Sequence, residues 1–234
     1  MTDFDADRSL VHRSPPLILL AAVHIGLVIG GIVTQSRMSS LPYPTPYDSI
    51  QQLQQYYTQF PDVMRIVSFL QFGASIPLGL FSVVIVSRLL FHDVRVAGVH
   101  IALFGGIASA IFLGASGLAT WALSQPGVAA DVGAMRIGQL IAFATGAFGN
   151  VTTLGLLLAG VCVPCLVFRL MPRWVCWFGL LVAAVAEVSV TSMLWPSVSF
   201  LLPMARFPAL VWLVAASLTL PKTHSRIPRV SSRT

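Results

Sequence analysis

Charge is what this chain has least of. Only 9% of its residues are Asp, Glu, Lys or Arg, against about a quarter in soluble globular domains, so a water-facing surface cannot be covered. Glutamate occurs once, at Glu187, and three cysteines cannot all pair within one chain, which removes a disulfide scaffold from consideration. No glycine-rich phosphate loop, His-Glu-x-x-His or Gly-x-Ser-x-Gly is present, so nothing points to a hydrolase or a nucleotide-using enzyme. The net charge of +6 is spread over short loops and suits no nucleic-acid groove. Hydrophobic residues make up 56% of the 234 positions and the mean hydropathy is +0.84, which excludes a disordered chain as well. The partner these properties imply is the lipid bilayer, with no cofactor.

Crossing a hydrocarbon core of about 30 Å takes roughly 20 apolar residues. Six runs qualify: Leu17 to Thr34, Met64 to Ser87, Val96 to Leu123, Ile137 to Phe168, Trp174 to Trp195, and a short last one ending at Leu220. The first run is long for a secretory signal and no Ala-x-Ala site follows it, so it reads as a retained span. The expected fold is an all-α bundle of six transmembrane helices over residues 17–220, flanked by a segment 1–16 and a basic tail 221–234.

Basic residues divide unevenly between the two sides. Arg8, Arg13, Arg88, Arg95, Arg169, Arg173, Lys222, Arg226, Arg229 and Arg233 fall on one side, and only Arg37, Arg65, Arg136 and Arg206 on the other. The positive-inside rule then predicts a bacterial inner-membrane protein with both termini cytoplasmic. The tail reads as a disordered arm drawn to anionic lipid.

The outer loop from Ser36 to Asp62 has room for structure. Thr45 as N-cap and Pro46 as first helical residue predict a short amphipathic helix through Ile50, Leu53 and Tyr57. It is either a lid over a cavity or, as the plainer reading, a connector anchored in the interface by Tyr56, Tyr57 and Phe60.

Two stretches echo each other: His24-Ile25-Gly26-Leu27 with Gly30-Gly31-Ile32, and His100-Ile101-Ala102-Leu103 with Gly105-Gly106-Ile107. Asp62-Val63-Met64-Arg65-Ile66 pairs similarly with Asp131-Val132 and Met135-Arg136-Ile137, which suggests two duplicated helical hairpins. Gly26 with Gly30, and Gly106 with Gly114 in an Ala102, Gly106, Ala110, Gly114 ladder, are the predicted helix-packing faces. Span four is too long for one straight crossing, and Gly146, Gly149 and Asn150 are where a break is expected. Pro77 should kink span two.

Glu187 lies well inside span five, where an ionised carboxylate costs at least about 2.5 to 3.5 kcal/mol. If Pro208 begins span six, Arg206 sits at nearly the same depth and is the predicted partner, with Gln71 as a further polar wall. Such a group is either a structural ion pair or the coupling site of a small secondary transporter or permease. Cys162-Val163-Pro164-Cys165, with Cys176 nearby, has the form of a redox motif. Its place at the C-terminal, negative end of a helix favours packing over a membrane thiol oxidoreductase. His24 and His100 differ in depth, which disfavours a haem ligand pair.

The order of features resembles one of the uncharacterised bacterial families of six-span membrane proteins. The likeness rests on Asp48 to Arg65, on Phe148-Gly149 onward, on Phe168-Arg169-Leu170-Met171-Pro172-Arg173 and on Arg206-Phe207-Pro208, and spans Pro16 to Pro221. It implies a first span, an outer loop helix running into span two, a glycine-bearing fourth span and a closing hairpin, and no assigned activity. The functional expectation is a non-enzymatic, structural or regulatory membrane protein. A hollow bundle would instead favour transport, and a filled one the structural role.

Overall fold

The computed structural model describes residues 10–12 and 14–224. Among the described residues the fold is an all-α bundle in which six helices are long and apolar enough to cross a membrane. They are α1 (Leu17–Met38), α3 (Pro61–Phe91), α4 (Ala97–Leu123), the segment Val132–Phe168, Arg173–Met193 and Pro196–Thr219. Within the fourth, α5 (Val132–Phe143) passes through a widened π-helical turn (Ala144–Gly149) into α6 (Asn150–Phe168). The fifth holds α7 (Arg173–Val188) and the sixth α8 (Leu201–Thr219). The break expected at Gly146 to Asn150 is therefore a π turn, which leaves the helix continuous but loosens its hydrogen bonding.

Two terminal segments meet at one end of the bundle. Leu10–Val11 (β1) pairs antiparallel with Thr223–His224 (β2), and His12 is tied to Ser87 through Nε2 at 3.0 Å. Burial, then Arg88 and His92, hold the His12 imidazole below its usual pKa. The pairing shows that the described ends of the chain lie on the same side, as an even number of spans requires. This side is called the terminal end below, and the other the loop end.

At the loop end, α2 (Ile50–Gln59) starts later than the sequence suggests. Its N-cap is Ser49, in a capping box with Gln52, while Thr45 closes a turn with Asp48 through its amide and hydroxyl. Nor are its tyrosines interfacial anchors. Tyr56 and Tyr57 are buried with Leu53 against Met64, Leu123 and Met135, so α2 is a cap packed on α3, α4 and α5.

The packing faces are partly those predicted. On α4, Gly106 and Gly114 lie against Ser82 and Ser75 of α3, where a Cβ on Gly114 would stand 3.1 Å from the Ser75 hydroxyl. A second face was not foreseen. A Cβ on Gly105 would lie 2.6 Å from the Leu157 backbone nitrogen and 2.7 Å from the Thr153 carbonyl, so α4 and α6 are in backbone contact. Gly26 does not serve the predicted role, since a Cβ there would meet nothing within 4 Å, while Gly30 makes only an ordinary contact, 3.8 Å from Leu70 of α3. The helix α3 runs through Pro77 without interruption. The two echoed histidines also part company, since His24 is buried and His100 exposed.

Candidate functional site: a polar cavity around Arg206

Pro208 does not start the last helix. It lies inside α8, which begins at Leu201, so Arg206 is a helical residue about 8 Å in from the loop end of α8 at 1.5 Å per residue. A proline is tolerated there because neighbouring helices and side chains can re-satisfy a loosened turn. This places the guanidinium inside the bundle. Its Nη2 donates to the Gly146 carbonyl and, at 2.9 Å, to Asn150 Oδ1.

Both acceptors come from the π turn and the residue after it. A π turn takes a carbonyl out of the regular ladder and turns it toward a neighbour, which is why such turns recur at functional sites. Asn150 is locked in orientation: Nδ2 donates to the Ser109 hydroxyl at 2.8 Å and to the Ser109 carbonyl at 3.0 Å, while the Ser109 hydroxyl donates to the Asn150 carbonyl at 3.0 Å. With its amide nitrogen so committed, Oδ1 is left to face Arg206.

These groups line a cavity of about 290 Å³ among α1, α3, α4, the fourth span and α8. Its polar wall includes His24, Gln71, Ser116, Gln139, Asn150 and Arg206. Gln71 donates to the Ser116 hydroxyl at 2.8 Å, which donates on to the Ala142 carbonyl at 2.7 Å. His24 donates through Nδ1 to the Ala74 carbonyl at 2.8 Å, leaving Nε2 as its second polar atom. Toward the loop end, Gln139 Nε2 donates to the Pro44 carbonyl and Tyr43 approaches Gln139 Oε1 at 3.4 Å. Burial pushes the Tyr43 phenol up, so it stays a neutral donor. From Gln35 to His24 the lining of α1 covers about 17 Å of the bilayer's depth.

The predicted partnership of Glu187 with Arg206 is not made. Among the described residues the ion pairs are Arg65 with Asp62 and Arg95 with Asp93, both exposed. Glu187 lies on the exposed face of α7 beside Gly155 and does not line the cavity. Gln71 and Arg206, by contrast, do share one wall. The structure adds His24, Ser116, Gln139, Asn150 and Tyr43, which sequence reasoning did not assign to a site; the available signal was an Asn, a Gln and serines inside apolar spans, where each needs an internal partner. Cys162, Cys165 and Cys176 are free thiols, all buried in the main apolar core.

No family model matches the chain, and no curated protein or solved structure is significantly similar to it.

Proposed function

We propose that this multi-pass membrane protein binds an anion in the cavity at Arg206, as a small transporter or permease does. One observation carries the reading: among the described residues, Arg206 is the one lysine or arginine on the cavity wall, and no carboxylate faces it. Taking a cation out of water costs several kcal/mol, and the cost is recovered when an opposite charge sits beside it. Here the compensating groups are two neutral oxygens, which leaves the place of a counter-ion open. A binding site within the membrane-spanning region, built on a locally irregular helix, is also the arrangement used by secondary transporters. The hollow bundle speaks against a purely structural role, and the complete burial of the three thiols against a thiol oxidoreductase.

Isosteric ligands that differ only in charge test this. In nanodiscs of zwitterionic lipid, acetate should raise the thermal unfolding midpoint with increasing concentration, because a ligand bound to the folded state alone stabilises it by mass action. Acetamide, of the same shape and uncharged, should not. Equal responses to the two, or none to acetate, would sink the anion reading.

We further propose that the membrane is the bacterial cytoplasmic one, with the terminal end inside. The support is the excess of basic residues on that side. Reporter fusions after Arg169 and after Thr234 should both read cytoplasmic, and one after Tyr57 external; an external reading after Thr234 would reverse the orientation.

A further inference from the structure

We infer that the ligand of this cavity is a single-chain amphiphile with one negative charge, its carboxylate at Arg206 and its chain in a second, apolar chamber. The inference rests on the anion reading above and narrows it to a substrate class.

The second chamber, of about 520 Å³, adjoins the first and shares Ile32, Tyr43, Phe143, Ala147, Arg206 and Phe207 with it. Beyond that shared wall it lies toward the loop end, lined by Pro46, Val151, Pro196, Leu202 and Pro203 together with the polar Thr45, Tyr47 and Ser199. Among the described residues Arg206 is the only charged one lining either chamber. One cation at the junction of a polar and an apolar compartment matches a ligand whose single charge sits at one end of an apolar body. A dianionic phosphate would leave charge uncompensated. At about 290 and 520 Å³ the two chambers lie at the lower edge and in the lower half of the range for small-molecule sites, about 300 to 1,000 Å³, which suits one chain better than the two of a phospholipid.

Access points the same way. Ile32 on α1 and Phe207 on α8 line both chambers and are each 45% exposed. Both belong to membrane-spanning helices, so their exposed sides face lipid, and the flank between α1 and α8 is apolar. A hydrophilic ion gains nothing from such a flank. An amphiphile already dissolved in the bilayer reaches the two chambers along it; with its carboxylate at Arg206, about 8 Å below the start of α8, its chain runs from there toward the loop end, where the second chamber lies.

The test compares butyrate, decanoate and decanamide on the full chain in zwitterionic nanodiscs, reading the concentration that gives half of the maximal rise in unfolding temperature. Decanoate should act at an aqueous concentration at least about tenfold below butyrate, because its added methylenes are drawn out of water into the bilayer and from there occupy the apolar chamber, which butyrate is too short to fill. Decanamide should have no comparable effect. Ser199→Trp, which fills the second chamber from a residue that does not line the first, should erase the advantage of decanoate and leave butyrate unchanged. If wild-type protein responds equally to butyrate and decanoate, the amphiphile inference fails and the anion reading survives. If decanamide matches decanoate, or Ser199→Trp folds and keeps the full chain-length preference, the effect is bilayer partitioning and the inference again fails. If neither carboxylate acts, the anion reading fails with it.

Discussion

Replacing Arg206 with Gln should raise the acetate concentration needed for half-maximal stabilisation by on the order of a hundredfold, in a protein that still folds. Only Nη2 of the guanidinium is engaged by the protein, on Gly146 and Asn150, which leaves donors on Nε and Nη1 for a ligand. Hydrogen bonds to a charged partner contribute about 1.5 to 3 kcal/mol each. Losing two of them removes roughly 3 kcal/mol, and each 1.4 kcal/mol is about tenfold in affinity. The sign of the stability change separates ligand binding from scaffolding. Without ligand, Gln removes a half-buried cation that has no counter-charge and can still donate one hydrogen bond to Asn150 Oδ1, so the unfolding midpoint should stay level or rise. Arg206→Leu should instead lower the stability by about 1 to 3 kcal/mol, because Asn150 Oδ1 and the Gly146 carbonyl lose their donor. A collapse of the Gln variant in the absence of any anion would show that Arg206 holds the helices together, and the cavity would lose its ligand.

Depth in the membrane was readable from the chain, whereas direction around each helix was not. Counting from the terminal end, Glu187 and Arg206 do lie at matching depths, since α7 begins at Arg173 and α8 ends at Thr219. A pairing follows from depth only if both side chains turn inward. On α7 the buried positions are Val182, Ala183 and Ala186, and the next residue is rotated by about 100°, which carries Glu187 to the outside. Sequence patterns show the inner face of a helix when polar residues mark the outer one. In a span apolar on every side that contrast is missing, and lipid-facing and core-facing positions look alike. The same blindness explains the outer loop, where the helical spacing of Leu53 and Tyr57 was legible but the face they cover was not. It also explains the glycines. Gly26 with Gly30 and Gly105 with Gly106 stand in similar local sequence, yet one pair faces open space or a side chain and the other meets neighbouring helices.

That difference sets up the largest expected loss of stability. Gly105→Val should destabilise the bundle by roughly 3 kcal/mol, the upper end of the range for overpacking. The obstacle at Gly105 is the α6 backbone itself, with the Leu157 nitrogen and Thr153 carbonyl within 2.7 Å of the new Cβ. A side chain in the way can change rotamer, but here two helices must separate. Separation also reaches the site, because α4 and α6 carry the Ser109 and Asn150 side chains whose mutual hydrogen bonds orient Oδ1 toward Arg206. The Val variant should therefore lose both thermal stability and part of its response to acetate. Gly26→Val is the matched control: with nothing within 4 Å of its Cβ, the change should stay within about 0.5 kcal/mol, as surface substitutions do. Thermal unfolding of both variants in the same nanodiscs decides the matter. A comparable fall for Gly26→Val would restore the first-span glycines as a packing face, while an unchanged midpoint for Gly105→Val would mean that α4 and α6 do not meet through their backbones.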